Sequence, residues 1–234
     1  MAKVLMVISG ADTIALADGT AHPTGYWAEE VAASHKLLRE AGAEVVIATP
    51  GGARPTVDPI SLDESGGVAE ADSKEFRAYL DSMADELASP LVLADVSPDD
   101  YDAVYIPGGH APMTDLAADA DLGGLLNAVN AQGKIVAALC HGPAALLSAT
   151  TGDGRFTFAG RSLTSFTDEE EHQGGLGDKT PYFVESRLRE RGAVTDTGPA
   201  WSNKVVEDGN LITGQNPQSS AATAQRVLEA LGVR

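Results

Sequence analysis

The 234-residue sequence holds a single cysteine, and its neighbours say what chemistry to look for. Cys140 follows the apolar run Ile135-Val136-Ala137-Ala138-Leu139 and precedes His141-Gly142-Pro143-Ala144-Ala145-Leu146-Leu147. This reads as a buried strand meeting a helix through one reactive side chain flanked by small residues, a nucleophile elbow. Such a turn lies above the carboxyl end of a parallel sheet, where open α/β folds place their ligands. Strain projects the side chain and aims the flanking N–H groups at one spot. A helix N-terminus just beyond would favour thiolate over thiol. The competing reading is a small, buried, inert cysteine; the elbow position and the His-Gly-Pro after it favour the functional one. Pro107-Gly108-Gly109-His110 ends the preceding strand at the same sheet edge. Its two glycines let backbone approach a substrate and expose N–H groups suited to half of an oxyanion hole.

The elements that must position these groups alternate between apolar runs and amphipathic stretches, the pattern of a mostly parallel sheet with helices on both faces. Strands are expected over 3–9, 44–48, 102–106, 134–139 and 162–166. Helices are expected over 26–41, from a cap at Ser73, over 121–132, from Thr180-Pro181, and from Ser219 or Ser220 to Leu231. Residues 50–67, rich in Gly, Pro, Asp and Ser, read as a long irregular excursion. Val205-Val206 and Leu211-Ile212, joined by Glu207-Asp208-Gly209-Asn210, read as a hairpin. Without a repeat or a linker, one domain spanning 1–234 is expected.

With 34 acidic residues against 16 basic ones, the net charge of -18 repels phosphate backbones and anionic lipid. Nucleic acid and membrane are therefore not expected as partners. One cysteine excludes an internal disulfide framework, and the N-terminus lacks the long apolar stretch of a signal peptide, so a cytoplasmic setting is expected. No Gly-x-Gly-x-x-Gly follows a strand, so no nucleotide cofactor is expected.

Taken together, Thr24-Gly25-x-x-x-Glu29-Glu30, Ala41-Gly42-Ala43-Glu44-Val45, Pro107-Gly108-Gly109-His110, Ala138-Leu139-Cys140-His141-Gly142-Pro143 and the segment from Leu211 to Ser220 resemble the ThiJ/PfpI superfamily. Within it, the chain looks most like the branch of heat-shock chaperones and glyoxalase III. The resemblance spans nearly the whole chain and implies a flavodoxin-like α/β sandwich of the class I glutamine amidotransferase type, and a homodimer. It implies Cys140 as nucleophile, His141 beside it, and Glu30 as the N-terminal acid. Glu29 lies about 100° away on the helix, so only one of the two can face the thiol. A further acid that orients His141 is implied within Asp168-Glu169-Glu170-Glu171; Glu170 is the choice, although four acids in a row leave it open. Two departures from the branch, Ser34 and Ala111, alter pocket shape without removing a reacting group.

The implied reaction converts a 2-oxoaldehyde such as methylglyoxal, with water, to lactate without glutathione. Gly108, Gly109 and His110 would bind substrate or oxyanion, and no metal or other cofactor is implied. The rivals are deglycation or hydrolysis with the same thiol, and a chaperone or oxidation sensor without turnover. His172 beside the acidic run is read as part of a solvated loop rather than a metal site. His22 is expected with His110 at the pocket, and His35 as a surface or packing residue.

Overall fold

The computed structural model describes residues 1–233. In chain order the strands are β1 (Lys3–Val7), β2 (Thr13–Ala15), β3 (Ala21–Pro23), β4 (Glu44–Thr49), β5 (Leu91–Val92), β6 (Ala103–Ile106), β7 (Ile135–Leu139), β8 (Ser162–Leu163), β9 (Val194–Thr195), β10 (Val205–Asp208) and β11 (Leu211–Gly214). The helices are α1 (Ala28–Glu40), α2 (Glu70–Ser82), α3 (Ala84–Ala88), α4 (Ala120–Ala131), α5 (Asp168–Gly174), α6 (Val184–Glu190) and α7 (Ser220–Ala230).

The central sheet runs β10-β11-β7-β6-β1-β4-β5, parallel throughout except for β10 against β11. The continuous apolar runs arise because both faces are covered. Leu5 and Val7 of β1 point into one core with Leu122, Leu126, Val129 and Leu188. Val4 and Met6 point into the other with Val31, Leu38, Val227 and Leu228. The strand order reverses between β1 and β6, and the turns after β6 and β7 open at the carboxyl edge beside that switch point, where a ligand crevice forms in such folds.

Several element ends differ from the sequence reading for identifiable reasons. The second helix begins at Glu70, not at Ser73, whose hydroxyl donates instead to Leu62 O at 2.8 Å and pins the preceding 3₁₀ turn. The excursion at 50–67 holds three such turns, Pro50–Gly52, Pro59–Leu62 and Glu64–Gly66, joined by irregular chain. Thr180 does not cap a helix: its hydroxyl donates to Tyr182 O, and α6 begins four residues later. The strand expected over 162–166 keeps only Ser162–Leu163 in regular pairing. Beyond it, Thr164 N–H donates to the Thr213 hydroxyl and Phe166 N–H to Cys140 O, tying this segment to the elbow.

Candidate active site

The chain leaves β7 at Leu139 and turns at Cys140, whose φ of 58° lies in the left-handed region. For a residue with a Cβ this costs on the order of 1–3 kcal/mol and persists only where the surroundings enforce it. Cys140 N–H donates to Gly214 O at 3.0 Å, and Phe166 N–H donates to Cys140 O at 2.8 Å. Two glycines let the neighbouring backbone close in. A Cβ on Gly142 would lie 2.4 Å from Ile106 O, and one on Gly108 would lie 2.7 Å from His141 N. Beyond the elbow the chain forms a 3₁₀ stretch, Gly142–Ser148, opened by Pro143, not the expected helix. The thiol therefore gains no α-helical N-terminus. Burial pushes its pKa well above the ordinary value, the neighbouring Glu30 adds to this, and the His141 N–H only partly opposes it.

Cys140 Sγ lies 3.4 Å from His141 Nδ1, and His141 Nε2 lies 2.7 Å from Glu171 Oε2. The orienting acid is thus Glu171, not Glu170. The reason is a capping box: the Thr167 hydroxyl accepts from Glu170 N–H, and the Glu170 carboxylate accepts from Thr167 N–H. This fixes Glu170 at the helix start and leaves its other oxygen to accept from Trp201 N–H, Gln215 Nε2 and Asn216 Nδ2. Glu170 holds the Trp201 loop, and the next residue in the helix faces the histidine. The signal lay in the sequence as Thr167-x-x-Glu170 ahead of Glu171.

Glu171 serves two histidines, its Oε1 lying 3.1 Å from His110 Nε2. Burial opposes its charge, but contact with His141 and His110 outweighs burial and holds the carboxyl well below the usual range. Burial and His110 lower the pKa of His141. The consistent state is a neutral His141 donating Nε2–H to an ionised Glu171 and presenting a lone pair at Nδ1 to the thiol. The His110 and His141 rings lie with centroids 4.1 Å apart, tilted by 42°. Among the described residues, His110, His141 and Glu171 are also the group whose ligand atoms, all within 4.8 Å, suit a metal ion.

Glu30 approaches from α1. The first turn of that helix has no side-chain cap of its own; Ser61 Oγ accepts from Ala28 N–H instead. Glu30 is fully buried, its Oε2 accepts from Gly108 N–H at 2.6 Å, and its Oε1 has no hydrogen-bond partner. Burial raises its pKa to about 8. The Gly108 amide is therefore taken by the acid, which corrects its expected place in the oxyanion hole. Gly109 has φ +85°, and a Cβ there would lie 2.2 Å from Gly25 O, so it locks the turn against the chain leading into α1.

Of these groups Cys140, His141 and His110 line a cavity of about 370 Å³, with Trp27, Glu29, Asp72, Phe76, Phe166 and Trp201 among its other walls, whereas Glu30 lies behind the lining. Glu29 and Glu30 divide as their spacing requires, Glu29 lining the cavity and Glu30 buried against Gly108 N–H. Sequence reasoning missed Trp201, which has φ 63° and packs edge-on to Phe166 at 5.6 Å. His22 is not among the lining residues. His35 is buried against Tyr79 and Glu86, and exposed His172 stacks on Phe183.

The chain is similar to several known proteins in sequence and in fold. The chain is 30% identical to the glutathione-independent glyoxalase HSP31 of Saccharomyces cerevisiae over 98% of both sequences. It is 30% identical to the protein/nucleic acid deglycase HchA of Staphylococcus aureus over 93% of this chain and 76% of that one. The crystal structure of glyoxalase III from Candida albicans superposes with a TM-score of 0.83 at 27% identity, covering 98% of this chain and 97% of the other. The pattern of the DJ-1/PfpI family matches residues 23–230. With the family pattern spanning residues 23–230 and a relative 30% identical over nearly the full length, the chain belongs to the DJ-1/PfpI family.

Proposed function

We propose that the chain is a glutathione-independent glyoxalase that turns methylglyoxal and water into lactate on Cys140. The observation that carries this reading is the buried carboxyl of Glu30, with one oxygen unpartnered, beside the chain's single thiol. Moving a proton between adjacent carbons needs one carboxyl near the bound carbons, and this is the role the reading gives Glu30.

In the first step the thiol sulfur bonds to the aldehyde carbon, and the carbonyl π pair moves to its oxygen. His141 Nδ1 takes the thiol proton and delivers it to that oxygen, giving a hemithioacetal. Glu30 then removes the C1 proton, the electron pair forms the C1=C2 bond of an enediol, and Glu30 returns the proton to C2. Over the same steps His141 shifts the hydroxyl proton from the first oxygen to the second. The result is a lactoyl thioester. Water attacks it, the C–S bond breaks, and sulfur regains a proton. Glu171 keeps His141 in the tautomer that accepts at Nδ1.

The direct test is lactate formation from methylglyoxal without glutathione by wild type, Cys140→Ala and Glu30→Gln. Turnover in wild type that is lost in both variants supports the reading. Absence of turnover with a reduced thiol overturns it. Likeness to the deglycase keeps removal of glyoxal adducts as a second reading, separated by whether free methylglyoxal or a preformed adduct is consumed faster.

A further inference from the structure

The cavity above Cys140 falls in the size range of pockets that enclose drug-sized ligands, and three carbons leave most of it empty. Its walls are aromatic: Trp27, Phe76, Phe166 and Trp201. Trp27 also keeps a buried indole N–H without a partner, a donor for a substrate oxygen. Apart from the thiol and its two histidines, the ionisable groups lining the cavity are Glu29 and Asp72, and no Lys or Arg lines it among the described residues.

Glu29 comes from the first turn of α1 and Asp72 from the first turn of α2. Burial, with Asp72 adding, raises Glu29 to about 7, so near neutrality Glu29 is part-ionised. A ligand cation would draw out its charge and rest against the aromatic faces. A ligand anion would meet negative charge in a partly desolvated space with no cation to offset it.

We propose that Glu29 and Asp72 form a charge filter that admits 2-oxoaldehydes with uncharged or cationic tails, aromatic ones included, and turns away those with anionic tails. The substrate class rests on the glyoxalase reading; the filter itself does not. Because Cys140 is the only cysteine, its alkylation reports the filter without any turnover. The rates for iodoacetamide and iodoacetate are compared, each normalised to a free thiol. Iodoacetate is expected to be disfavoured by about tenfold beyond the free-thiol ratio, less so in high salt. The Glu29→Gln/Asp72→Asn double variant is expected to recover most of that factor. A ratio equal to that of the free thiol, or one unmoved in the double variant, overturns the filter.

The substrate class is read from kcat/KM for phenylglyoxal against 4-carboxyphenylglyoxal. The neutral compound is expected to lead by about tenfold, with the lead shrinking in the double variant. Equal use of both overturns the class. Discrimination in alkylation without turnover of any oxoaldehyde would overturn the glyoxalase reading and leave the filter standing.

Discussion

Glu171 Oε2 lies 2.7 Å from His141 Nε2, at the opposite end of the imidazole from the nitrogen that meets Cys140. The carboxylate thereby decides which ring nitrogen carries the proton, and so which one can take a proton from sulfur. Its neighbour Glu170 is equally buried, yet spends both oxygens on backbone and amide donors.

Adjacent acids with such different partners should separate cleanly on mutation. Glu171→Gln is expected to lower kcat by about a hundredfold or more while the fold persists, because the tautomer is lost. Glu170→Gln is expected to lower stability by about 1–3 kcal/mol, since an amide cannot accept all the bonds the carboxylate takes. It should raise KM more than it lowers kcat, through the Trp201 wall. Steady-state kinetics beside urea melts checks both.

Cys140 and Glu30 are both pushed up by burial, and a Glu30 carboxylate further disfavours charge on the thiol. The pair should titrate as a unit, its single anion appearing with an apparent pKa near 8. Both routes to the active state, a thiolate with an acid or a thiol with a carboxylate, have the same proton count. A profile of kcat/KM against pH should therefore rise as pH increases through about 8, rather than near 4.5, the value of an ordinary carboxyl.

The same proton links to stability. Folded Glu30 holds its proton up to about 8 whereas an unfolded glutamate releases it near 4.5, so the folded state binds more protons across that window. The contribution is fully present below the lower value and is lost as pH rises through the upper one. Urea melts across this range should show wild-type stability falling with pH, with a shallower fall in Glu30→Gln.

Glycine matters at Gly109 for a reason absent at Gly124. Gly109→Ala meets Gly25 O and keeps φ in the left-handed region, so a loss of more than about 2 kcal/mol is expected, along with activity. Gly124 lies in α4 with nothing within 4 Å of where an alanine methyl would sit, and Gly124→Ala should gain about 0.5–1 kcal/mol. Denaturant melts of both variants check the contrast.

The Cys140-His141 elbow was legible because its neighbours are constrained: small residues crowd it, and the run before it reads as a buried strand; Glu30 came from the family resemblance alone. The sheet was legible for the same reason, its strands being apolar without alternation. The choice between Glu170 and Glu171 turned on where α5 begins, since one residue rotates a side chain by about 100°. Propensity left that start open, but the Thr167-x-x-Glu170 box decides it. Trp201 reaches the pocket through bonds to Glu170, whose partners Gln215 and Asn216 lie some 45 residues away. Such contacts depend on the fold and leave no local pattern. The 3₁₀ stretch after Cys140 escaped because Pro143 and two alanines are equally compatible with an α-helix.

The central claim is that Cys140 bonds to the substrate and Glu30 moves the proton in the next step. Mass spectrometry of Glu30→Gln quenched soon after mixing with methylglyoxal tests it most directly. The account predicts a peptide containing Cys140 that carries the mass of one methylglyoxal, with no lactate released. An unmodified Cys140 peptide, or lactate formed at the wild-type rate, would contradict it.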